Sequence, residues 1–150
     1  MVTDSASIAS STYPPKVIIT KIGFDGHDRG SRLVATFLRD AGMEVIYTPP
    51  WQEVSTVVKL AIEEDAEVIG ISSLATDHLL VPRLMTALRE AGVEDVQVIV
   101  GGIVPARDEQ LLLEAGVAHV FHPGTSLEQI AEEVRALSAR ARAMRRSEML

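Results

Sequence analysis

The sequence predicts an α/β fold, a doubly wound parallel sheet of five strands with helices on both faces. Three observations predict it. From Lys16 onward, short β-branched runs alternate with longer segments whose apolar residues recur at three and four positions, the pattern of βαβ units. Three of the longer segments close on Ala-Gly, at Gly42, Gly92 and Gly116, where glycine takes the left-handed conformation that ends a helix. At 150 residues and 47% apolar content, the chain suits one compact domain with a real core.

The elements follow in order. Residues 1–15 are Ser/Thr-rich and end in two prolines; they read as a flexible arm without the charged start and apolar core of a signal peptide. The expected strands are KVIITKI (16–22), EVIYT (44–48), EVIGIS (67–72), VQVIVGG (96–102) and AHVFH (118–122). The helices between them fall in RGSRLVATFLRDAG, WQEVSTVVKLAIEEDA, DHLLVPRLMTALREAG and PARDEQLLLEAG, with SLEQIAEEVRALSARA last. Strict alternation gives a flavodoxin-like (Rossmann-like) sheet in the order 2-1-3-4-5. The domain proper is expected over 16–140, followed by a tail over 141–150. Five of the fourteen basic residues lie in the last sixteen positions, which reads as a solvated helical tail. Trp51, the single tryptophan, is either a packed staple or an interface anchor.

Composition excludes several functions. With no cysteine, disulfides, thiolate metal sites and cysteine nucleophiles are ruled out, in keeping with a cytoplasmic location. A net charge of -7 argues against nucleic acid as a partner, which would need a basic face. No apolar run reaches the roughly 20 residues that span a bilayer, so no membrane partner is expected.

Ligands of such sheets bind beyond the carboxyl ends of the strands, where the order reverses between strands 1 and 3. KIGFDGHDRG (21–30) stands at one of those ends and SSLATDH (72–78) at the other. Glycines at 23, 26 and 30 do not make the dinucleotide turn or a P-loop. No nucleophile elbow occurs, and the carboxylate and lysine pattern of a phosphoacceptor domain is missing. What remains is His27, two residues after Asp25. A metal-ligating imidazole typically donates its other N–H to a carboxylate; Asp25 suits that role, and Lys21 could hold Asp25 in turn. His78, His119 and His122 have structural explanations at least as good as a site role.

At these residues the sequence resembles the cobalamin-binding domain of adenosylcobalamin-dependent acyl-CoA mutases, over about residues 15–135. Asp25, His27 and Gly30 match the family's D-x-H-x-x-G, Ser72 and Leu74 its S-x-L, and Gly101-Gly102 its paired glycine. The resemblance implies that His27 is the lower axial ligand of cobalt in place of the cofactor's dimethylbenzimidazole, with Asp25 and Lys21 behind it. It implies that the displaced nucleotide tail enters a slot beside the sheet, with Ser72 on its base, Leu74 shaping the slot and Phe121 lining it. Pro123, Gly124 and Thr125 resemble the last tail-binding turn. Gly101 and Gly102 lack a Cβ, which lets backbone approach a bulky ligand. The remaining loop residues Gly23, Gly26, Asp28 and Arg29 fall to the cofactor as well, although the glycines also serve turn geometry and Asp28 and Arg29 also suit a helix start.

The sequence departs from the family at His122, often a glycine, and at PPWQEVS, where the family opens its second helix with Q-T-P-E. The resemblance further implies adenosylcobalamin as cofactor and a separate large TIM-barrel subunit that binds the acyl-CoA. Isobutyryl-CoA, 2-hydroxyisobutyryl-CoA and methylmalonyl-CoA are the substrates of the split mutases it is similar to. Alone, the chain is expected to bind cobalamin without catalysis. A corrinoid carrier for a methyltransferase and the small subunit of a glutamate mutase are the alternatives, with a cobalamin-sensing or purely structural module from a different class.

Overall fold

The computed structural model describes residues 13–23, 29–74 and 76–149. Five parallel strands, β1 (Lys16–Thr20), β2 (Glu44–Tyr47), β3 (Val68–Leu74), β4 (Gln97–Ile103) and β5 (His119–Phe121), lie in the order β2-β1-β3-β4-β5. The helices are α1 (Arg29–Asp40), α2 (Val54–Glu64), α3 (Val81–Glu90), α4 (Ala106–Glu114) and α5 (Leu127–Met149), with a 3-10 turn at Asp77–Leu80 leading into α3. Among the described residues no helix is long and apolar enough to cross a membrane.

The predicted order and all five strands are present, with shifted ends. β1 stops at Thr20, and Ile22 instead makes an isolated bridge to Gln52. β3 and β4 run on to Leu74 and Ile103. The helix expected from Asp77 begins at Val81, because Pro82 occupies its first turn, where a missing N–H costs nothing. Gly42, Gly92 and Gly116 have φ of 94°, 75° and 107°, the left-handed conformation the sequence predicts at the helix ends.

Strand alternation builds two apolar layers. Val17, Ile19, Val68 and Ile99 face Ala35 and Leu38 of α1 and Ala131, Val134 and Leu137 of α5. Ile18, Ile69, Ile71, Val98 and Val100 face α2, α3 and Leu112 of α4. Both sides of the sheet are thus covered, which is why its strands read as continuous apolar runs.

The edge at the strand N-termini is closed by α5, which runs without interruption across position 140. Arg142 pairs with the buried Glu67, and Arg145 pairs with the buried Asp95 and donates to the Ala66 carbonyl at 2.6 Å. The helical part of the tail expectation holds. The solvated part fails for these arginines, because strands β3 and β4 are preceded by carboxylates that need counter-charges. Burial pushes the Glu67 carboxyl up, but hydrogen bonds from Arg142, from the Ser138 hydroxyl at 2.6 Å and from the Lys16 N–H at 3.0 Å outweigh it. Together with the Arg142 charge they hold the group below its ordinary 4.5.

Candidate functional site

At the opposite edge the carboxyl ends of β1, β3, β4 and β5 form the floor of a cleft of about 460 Å³. Its walls are the first turns of α1, with Gly30, Ser31, Leu33 and Val34, and of α5, with Leu127 and Ile130. It lies where the chain order reverses between β1 and β3, the location that a doubly wound sheet offers a ligand.

Missing side chains make the floor. Gly70, in the middle of β3, is walled by Ile19, whose Cδ1 would be 2.8 Å from an added Cβ. Gly101 is open: a Cβ there would meet only the Cβ of Phe121, at 4.0 Å. Gly102 is glycine for a different reason. Its φ is 116° and a Cβ would stand 1.9 Å from the Ser73 carbonyl oxygen, so β3 itself forbids a side chain. The close-approach reading of the glycine pair thus applies to Gly101, whereas backbone conformation and strand contact account for Gly102.

Polar groups gather at the mouth. The turn from His122 to Thr125, with Gly124 at φ 94°, is closed by the Thr125 N–H and hydroxyl, which donate to the His122 carbonyl at 3.1 and 2.7 Å. The Thr125 oxygen keeps accepting capacity toward the cleft. The His122 ring pairs through Nε2 with Glu109 at 2.5 Å. Phe121 is 7% exposed, lines the cleft and packs on the His119 ring with centroids 4.3 Å apart. Beside the cleft, Lys21 is buried at 2% exposure; its ammonium donates to the Ser72 carbonyl at 3.2 Å and lies 3.9 Å from Asp77 Oδ2.

The family described as the B12 binding domain matches residues 15–135. The chain belongs to the B12-binding domain family. It is 62% identical over 138 residues to the pivalyl-CoA mutase small subunit of Xanthobacter autotrophicus, covering 92% of this chain and 93% of that one. It is 42% identical over 123 residues to the methylmalonyl-CoA mutase of Rhizobium meliloti, covering 81% of this chain but only 17% of that longer protein. Among solved structures, a cobalamin-binding protein from Desulfitobacterium hafniense superposes with a TM-score of 0.69 at 22% identity, over 85% of this chain and 59% of that one. That last likeness establishes the fold.

In this B12-binding domain the structure brings Gly30, Ser72, Gly101, Gly102, Phe121, Gly124 and Thr125 around one cleft. Asp25, Gly26, His27 and Asp28 lie outside the described residues. Lys21 and Gly23 sit together beside Asp77. Arg29 is exposed at the start of α1, outside the cleft lining. Leu74, 39% exposed and paired with Ile103, stands beyond the cleft lining on the same face of β3 as Ser72. Trp51 is 63% exposed with φ 66°, so it is no packed staple.

Sequence reasoning missed Gly70, Ser31, His122 and the apolar wall of Leu33, Val34, Leu127 and Ile130. Gly70 carried a usable signal, since a lone glycine inside a strand marks a close approach. His122 carried one too, as a departure from the family at the cleft mouth.

Proposed function

We propose that this chain is the cobalamin-binding small subunit of a coenzyme B12-dependent acyl-CoA mutase, which rearranges the carbon skeleton of a short acyl-CoA. The observation that carries the reading is the match along nearly the full length of both chains to a mutase small subunit, joined to a cleft at the sheet's switch point. A separate large subunit with a TIM-barrel would bind the acyl-CoA, and the complex would work in the cytoplasm. Residues 16–140 form the binding module in this reading, between an arm over 1–15 and a tail over 141–150.

The cleft fits the nucleotide tail of cobalamin. Its floor is open at Gly101, its walls are apolar, and Ser72 and Thr125 stand at the rim. His27 would ligate cobalt, Asp25 would hold the His27 imidazole in the right tautomer, and Lys21 would support Asp25. When bound, the cofactor supplies an adenosyl radical by homolysis of its cobalt–carbon bond. The chain's own residues would bind and orient it: Gly101 would admit the tail, Phe121 and Ile130 would exclude water from the slot, and Gly23, Gly26, Asp28, Arg29, Gly30, Leu74 and Gly124 are assigned to the cofactor in this reading.

Mixing the full chain with hydroxocobalamin and recording the visible spectrum tests the reading. A shifted spectrum that stays with the protein through gel filtration is expected. Free cobalamin eluting apart from the protein at micromolar concentrations of both would overturn it.

A further inference from the structure

Asp77 lies at the start of the 3-10 turn and is 5% exposed. Its Oδ2 is 3.9 Å from the Lys21 ammonium. Its Oδ1 lies against Gly23, where an added Cβ would be 2.7 Å away. One carboxylate from the β3–α3 connection therefore lies against both Lys21, the residue after β1, and Gly23, at the start of the segment leading to Asp25 and His27. A buried ammonium is strongly disfavoured without a compensating charge, and Asp77 provides one.

The position of Asp77 is itself fixed by its neighbour. His78 is fully buried. Its backbone N–H donates to Ser73 Oγ at 3.0 Å, its Nδ1 is 2.9 Å from the same oxygen, and its Nε2 is 2.9 Å from Asp108 Oδ2 on α4. An ionised carboxylate only accepts, so Nε2 carries the proton. In the neutral ring Nδ1 then accepts from the Ser73 hydroxyl. The turn is pinned at three points to β3 and α4, and the pinned turn presents Asp77 to Lys21.

We propose that Asp77 is a positioning residue for cobalamin binding, holding Lys21 and the Gly23 backbone so that the segment beyond them starts from a fixed base. The inference rests on the cobalamin-binding reading above.

The test titrates hydroxocobalamin into the full chain and, after adding a one-electron chemical reductant, records Co(II) EPR of bound cob(II)alamin. It uses wild type, Asp77→Asn, Lys21→Met and the double variant. Asp77→Asn is expected to weaken binding about tenfold, at the low end of what removing such supporting partners does. It is also expected to lower the share of bound cofactor showing histidine-nitrogen splitting, which a loss of folded protein alone does not change. In the Lys21→Met background Asp77→Asn is expected to add less than its full loss, because the contact with Lys21 is already gone. Wild-type affinity and splitting in Asp77→Asn, or a second full loss in the Lys21→Met background, would overturn the proposal. Should Asp77→Asn alone not fold, the comparison of Lys21→Met with the double variant, which leaves no lone buried cation, decides it. A wild-type chain that binds no hydroxocobalamin sinks the functional reading instead.

Discussion

Gly102 and Ser73 face each other across the β3–β4 ladder with no room between them for a methyl group: an added Cβ would be 1.9 Å from the Ser73 oxygen. The strain of φ 116° adds to the clash. Gly102→Ala is expected to destabilise the chain by about 2–4 kcal/mol, measured by urea denaturation without cofactor. Wild-type stability would mean that β3 and β4 part more easily than their register implies.

Its neighbour separates binding from folding. At Gly101 an added Cβ meets nothing closer than 4.0 Å, and a β-branched residue suits a strand. Gly101→Val is expected to change stability by less than about 1 kcal/mol while reducing hydroxocobalamin affinity at least tenfold, read by titration. Unchanged affinity would place the nucleotide tail elsewhere.

The axial ligand has its own signature. His27→Ala is expected to abolish histidine-nitrogen hyperfine splitting in the Co(II) EPR spectrum of the bound cofactor. Asp25→Ala is expected to keep the splitting but weaken binding by roughly 10- to 100-fold. A wild-type spectrum in His27→Ala would refute the assignment of His27 to cobalt.

Acid stability turns on Glu67. Its folded value lies below the ordinary 4.5, so its carboxylate stabilises the fold above the unfolded value, and the contribution is lost as pH falls through the lower folded value. Glu67→Gln is expected to lose about 2 kcal/mol at neutral pH, the worth of hydrogen bonds to a charged group. The gap to wild type should narrow as pH drops below about 4.5. Parallel stability curves for the two proteins across that range would argue against the Arg142 and Ser138 contacts.

Local patterns in the sequence carried the fold well. Apolar runs such as VIIT and VIGIS marked strands buried on both faces, and Ala-Gly endings marked helix ends, so the strand order followed. The cleft was readable where glycines interrupt strands, at Gly101 and, unused, at Gly70. Pairings between distant segments stayed hidden. Nothing in RALSARARAMRRSEML shows that Arg142 and Arg145 meet Glu67 and Asp95, because an arginine on a helix looks the same whether solvated or docked. The DHLL turn likewise gave no sign that Asp77 meets Lys21.

The Arg142 guanidinium also donates to the carbonyl of Pro14 at 2.9 Å, which brings the chain's entry into β1 beside the far part of α5. Both lie at the strand N-termini, away from the cleft. A fluorescent reporter fixed to the surface beside Pro14 or Arg142 would therefore sit on the underside and leave the doorway of the cleft clear.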